Sequence, residues 1–88
     1  MIFISLGRFR RKPTKEGFTG AQKLFEQIAK ERGKILGIYW TLGRYDAVAI
    51  VEGQDEKIAM RALMRFGDVM STETLIAVPR EEAEKLVE

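Results

Sequence analysis

Two short stretches of the chain carry side chains that could do chemistry, Gly43-Arg44-Tyr45-Asp46 and Thr72-Glu73-Thr74. The sequence has no Cys and no His. That excludes disulfides, Cys/His zinc sites, histidine-ligated haem, cysteine nucleophiles and Ser-His-Asp triads. Acid–base work falls to Asp, Glu, Lys, Tyr or Arg. A carboxylate without a histidine partner can bind an ammonium group, or take a proton where desolvation raises its basicity. Asp46 and Glu73 are the candidates. Gly43-x-Tyr45-Asp46 also has a purely structural reading, with glycine for a turn, tyrosine for packing and aspartate bonding turn amides. Glu73 sits mid-strand, either as a charge guarding an exposed edge or as a group facing the inside of an assembly, paired with Arg8 or a ligand. Phosphate-loop and dinucleotide fingerprints are absent, and no metal or cofactor is expected.

Arg8, Arg10, Arg11 and Lys12, with Lys15 beyond, form the one charge cluster. Residues 1–34 hold nine basic against three acidic side chains, and residues 35–88 hold six against ten. The cluster is either a solvated loop or a contact for an anion or nucleic acid. Nucleic acid is the disfavoured partner, because the aromatic central-strand motif of RNA-recognition domains is missing.

These residues must be positioned by a small frame. At 88 residues the chain is read as one domain, 1–88, and a domain this size buries only roughly 60–65% of its unfolded surface. With no staple available, support from a second copy is expected. No apolar run is long enough to span a membrane. The basic residues follow the apolar run of MIFISLGRFRRK, the reverse of a secretory signal. A cytoplasmic protein is expected, and the absence of Asn beside abundant Lys, Arg and Glu leans toward a thermophilic source.

Met1–Phe9 reads as a central strand, with Ile2, Ile4 and Leu6 on one face and Phe3, Ser5 and Phe9 on the other. A helix follows, its apolar stripe running from Phe18 to Ala29. Thr19 and Gln22 have capping-box spacing, although the helix could start earlier, near Thr14, and Gly33 is placed as its terminating C′ residue. Lys34–Leu42 and Tyr45–Glu52 read as a hairpin around Gly43-Arg44. That register puts Leu36, Ile38, Trp40 and Leu42 with Tyr45, Ala47, Ala49 and Val51 beneath the helices, with small Ala where a helix could lie close. It puts Tyr39, Thr41 and Asp46 on the other face. Asp55 can cap a second helix with Ile58, Ala62 and Phe66 inward. Val69–Val78 is a last strand, and 79–88 a C-terminal helical extension.

The order β-α-β-β-α-β is the α+β, ferredoxin-like pattern. Its sheet has strand order 4-1-3-2, with both helices on one face. The other face is left bare, so face-to-face pairing of two sheets follows.

The stretch Ile38-Tyr39-Trp40-Thr41-Leu42-Gly43-Arg44-Tyr45-Asp46 resembles the signature of the GYD domain family. The likeness continues through Ala47–Glu52, and resumes at Gly67-Asp68-Val69 and Thr72-Glu73-Thr74-Leu75. Arg8-Phe9-Arg10-Arg11-Lys12 departs from it, since members usually have a more neutral stretch there. The resemblance implies a dimeric α/β-barrel domain. The hairpin and closing strand are also similar to the effector-binding domains of leucine-responsive (AsnC-type) regulators, which bind amino acids between subunits.

The expected function is therefore a homo-oligomer that binds a small metabolite between subunits in a regulatory or sensory role. Tyr39, Thr41, Gly43, Tyr45, Asp46 and Glu73 are the candidate ligand residues. The alternative is a small dimeric-barrel enzyme of isomerase or cofactor-independent oxygenase type, using a carboxylate. A third reading is nucleic-acid binding through the basic loop.

Overall fold

The computed structural model describes residues 1–87; of the expected C-terminal extension, Glu88 lies outside the described residues. The elements are β1 (Ile2–Phe9), α1 (Lys15–Lys30), β2 (Lys34–Trp40), β3 (Ala47–Glu52), α2 (Lys57–Phe66), β4 (Met70–Ala77) and α3 (Arg80–Glu84). The strands form one antiparallel sheet in the order β2-β3-β1-β4. This is the ferredoxin-like α+β architecture.

Phe3 pairs across the sheet with Val51 and Ile76, and Ser5 with Ala49 and Thr74. Directly opposed residues share a face, so these side chains lie on the face that carries α1 and α2. Phe3, Leu24, Ile28 and Ile58 are the buried apolar residues. Ile35, Val51, Ala62 and Phe66 pack against the Leu24–Ile28–Ile58 group. The core thus gathers at the end of the sheet where β1 begins.

Four local details are settled. First, of the two helix starts that the sequence allows, α1 takes the earlier one, near Thr14, and not the one at Thr19. Thr14 is its N-cap, the Thr14 hydroxyl accepting from the Gly17 N–H at 3.0 Å, while the Thr19 hydroxyl donates to the Lys15 carbonyl inside the helix. Pro13 just before Thr14 already favours an extended entry to the helix.

Second, the left-handed residue after α1 is Arg32, at φ 63°, rather than Gly33. The Gly33 N–H bonds the Ile28 carbonyl at 2.8 Å and the Arg32 N–H bonds the Ala29 carbonyl at 3.2 Å. These are the two bonds of a Schellman cap.

Third, the β2–β3 register slips between Ile35 and Gly37. A bulge moves the residues beyond it by one place, so Ile35 rather than Leu36 meets Val51 and the core, and Leu36 is exposed.

Fourth, the hairpin strands end at Trp40 and Ala47, and 41–46 is a loop. It is closed by the Thr41 N–H to the Asp46 carbonyl at 2.9 Å. Strand alternation stops at that point. Leu42 is fully exposed instead of lying beneath the helices, and Tyr45 reaches the other face.

Candidate functional site

The face away from the helices is built from rows read straight across the strands. Gly37, Ile50, Ile4 and Leu75 form one row, and Tyr39, Val48, Leu6 and Glu73 the next. With strands about 4.8 Å apart, Tyr39 and Glu73 stand about 14 Å from each other. Ile2, Ile4, Leu6, Val48 and Ile50 are only half-covered, and Leu75 is exposed. The face is therefore an apolar band with polar groups at one end.

That end is organised by the 41–46 loop. Gly43 sits at φ 108°, a conformation in which a side chain is strained. The Thr41 hydroxyl donates to the Tyr45 carbonyl at 2.5 Å. Asp46 is tied into the sheet. Its Oδ2 accepts from the Phe9 N–H at 2.8 Å, and its own N–H donates to the Gly7 carbonyl at 2.8 Å. The Tyr45 hydroxyl donates to Glu73 Oε2 at 2.7 Å, with the Arg44 guanidinium 5.7 Å from the centre of the Tyr45 ring. The structure thus brings Thr41, Gly43, Tyr45, Asp46 and Glu73 together. Tyr39 stands across the face, 55% exposed, its ring folded over Gly37. The Tyr45–Glu73 bond was not anticipated from sequence. Its signal lies in the register, which puts Glu73 two strands away from the hairpin end, within reach of a long side chain leaving the loop.

The Tyr45 phenol is pushed above its ordinary value of 10.0, first by the hydrogen bond to Glu73 and then by desolvation and the Glu73 charge; Arg44 and Arg8 act the other way. A raised folded value means that this contact supports the fold fully below the unfolded phenol's value and is lost as pH climbs through the folded one. In a Tyr39→Phe background, where Tyr45 is the sole tyrosine, the phenolate absorbance should titrate above 10.0. Glu73→Gln should bring that titration to lower pH. An identical curve in the two proteins would mean that Glu73 does not hold the phenol.

The basic cluster divides. Arg8 lies near Tyr45 on the open face, close enough to favour the phenolate. The Arg10 N–H extends the β1–β4 ladder to the Val69 carbonyl at 2.8 Å. Arg11 Nη2 reaches the Asp68 carbonyl at 3.5 Å, and Arg11 and Lys12 lie along the end of a cavity under the helices.

That cavity measures about 870 Å³ and lies between the sheet and the two helices. Its floor is the small set Ser5, Gly7, Ala47, Ala49, Thr72 and Thr74. Met70 folds over Gly7, where a Cβ would collide with the Met70 methyl. Ser5 and Thr74 share a hydroxyl–hydroxyl bond of 3.0 Å. The expectation that a helix lies close over Ala47 and Ala49 is overturned here, because space stands above them. Trp40, on this face and 56% exposed, stacks with Phe18 at 5.5 Å and meets Phe9 at 5.0 Å.

Among the described residues no group of three or more Asp or Glu is placed to hold a metal ion, and no helix is long and apolar enough to cross a membrane. No curated protein matches the chain. Among solved structures, CutA1 from Pyrococcus horikoshii is similar over 99% of this chain and 95% of that one, at 18% identity and a TM-score of 0.39. A family model for the GYD domain matches residues 3–87, and its namesake residues Gly43, Tyr45 and Asp46 build the loop that ends the open face; the chain belongs to the GYD domain family.

Proposed function

We propose that the protein is a homo-oligomeric binding domain. Its subunits pack their open sheet faces together and hold a small metabolite between them, in a sensory or regulatory role rather than in turnover. The observation that supports this is the uncovered face itself. A half-covered band of Ile2, Ile4, Leu6, Val48, Ile50 and Leu75 ends on the polar set Thr41, Tyr45 and Glu73. Apolar surface on a sheet is removed from water most cheaply by a second sheet. A stable pair needs about 1,200–2,000 Å² of total buried area, and a four-stranded face is the broadest surface this fold offers. In the assembly Tyr39 and Glu73 flank the band. Gly43 and Asp46 shape and hold the loop, and Thr41 and Tyr45 meet the ligand.

Native mass spectrometry on freshly purified protein tests this reading. The expected spectrum is a dimer, or a multiple of one, carrying a discrete small mass. Ile4→Lys places a charge in the middle of the band, between Ile50 and Leu75, and should give a bare monomer. A wild-type spectrum of bare monomer would sink the proposal.

A further inference from the structure

The cavity under the helices is a separate feature from the open face. We infer that it is a binding site within each subunit for an apolar monocarboxylate, whose hydrocarbon or aryl body fills the cavity and whose carboxylate rests at the basic end.

The cavity exists because of the sequence. The floor carries small side chains, Ser5, Gly7, Ala47 and Ala49, while large ones stand around it: Phe3, Phe9, Phe18, Trp40 and Phe66. Protein interiors are normally packed to the density of organic crystals. A half-open space of about 870 Å³ between sheet and helices is within the range of small-molecule sites. Apart from Gln22 and the charged residues at one end, its walls are apolar, so the body of the occupant is apolar too. The polar groups on its floor are uncharged hydroxyls, and the Ser5–Thr74 pair already satisfies part of its own demand. A charged group has no partner there.

One end differs. Arg11, Lys12, Thr14 and Glu16 line it, next to the exposed Phe18 and Trp40 rings. Two cations face one carboxylate. The first turn of α1 begins at Lys15, so the positive end of a 16-residue helix points to the same place. An anion is favoured at that end and an apolar body beyond it. The basic residues of the N-terminal loop thereby gain a use that a purely solvated loop would not have.

Decanoate and decanol are suitable probes, used below the concentrations at which they aggregate. Trp40 is the sole tryptophan and reports from the cavity wall. Decanoate should change its fluorescence saturably and raise the melting temperature. Decanol should bind about tenfold more weakly, as expected for losing a charge-assisted contact. Arg11→Ala combined with Lys12→Ala should reduce decanoate to the level of decanol. Ala49→Leu and Thr72→Leu grow into the cavity from different strands, and each should abolish the response to both probes. Two variants are used so that one with native circular dichroism is available. The inference is overturned if decanoate gives no saturable response, or if decanol binds as tightly. Undiminished binding by a folded cavity-filling variant would also overturn it, and would place the apolar contact on the open face. Because this readout is ligand binding and the subunit count is read separately, failure here leaves the oligomer proposal standing, and the reverse.

Discussion

Phe3→Ala should cost about 3–5 kcal/mol, the range found for emptying a buried aromatic site. Phe3 is the most deeply buried side chain, 2% exposed, and it sits on the central strand between Val51 and Ile76. On the helix side its neighbours include the cavity, so the deleted ring would enlarge an existing space. Small domains are held by only about 5–15 kcal/mol in total. The variant should therefore melt roughly 12–40 °C lower, given about 4–8 °C per kcal/mol for a domain of this size. Thermal and urea unfolding at one fixed protein concentration would measure it. Ile76→Ala, at the paired position on β4 but 67% exposed, is the control and should cost far less. A loss of under about 1 kcal/mol for Phe3→Ala would mean that the core is not organised around this ring.

The reasons that made Phe3 readable as core also made the fold readable. Ile2, Ile4 and Leu6 alternate with Phe3, Ser5 and Phe9, which demands cover on both faces and hence a central strand; β1 lies between β3 and β4. Period-2 and period-3.6 patterns survive in sequence because burial selects residue types. What escaped reading depends on single backbone choices. The slip between Ile35 and Gly37 exchanges Leu36 for Ile35, and the two side chains are equally apolar, so no pattern distinguishes them. Arg32 adopts a left-handed conformation beside a glycine that would have served more easily. There the helix end is closed by the bonds from Arg32 and Gly33 back to Ala29 and Ile28.

The site was legible in part for the same reason. Gly43 announces a turn, and Tyr45 and Asp46 beside it announce polar groups at the end of a sheet. Their faces were not legible, because alternation holds only while strands pair, and pairing ends at Trp40 and Ala47. The cavity was hidden for another reason. Small residues such as Ala47 and Ala49 are equally consistent with a helix pressed close and with a space left above them. Only the positions of α1 and α2 decide between these, and here they leave the space.

Asp46→Ala should cost about 1.5–3 kcal/mol, the range for hydrogen bonds to a charged group. The side chain accepts the Phe9 N–H at 2.8 Å where β1 runs past the end of β3, while the backbone of Asp46 bonds Gly7 and Thr41. One residue thus closes the 41–46 loop and fastens it to β1. Removing the carboxylate leaves the Phe9 N–H half-buried without its acceptor. Phe9 then loses part of what positions its ring against Trp40. Asp46→Asn retains an acceptor oxygen and should recover about half of the loss, since a neutral bond is roughly half as strong as a charge-assisted one. The measurement is thermal unfolding together with hydrogen exchange at the Phe9 amide, which should speed up in the Ala variant and stay near wild type in the Asn variant. Unchanged stability and unchanged protection in Asp46→Ala would show that the carboxylate is not a latch. Asp46 would then be free to meet a ligand directly, and the loop would owe its shape to Gly43 and the backbone bonds alone.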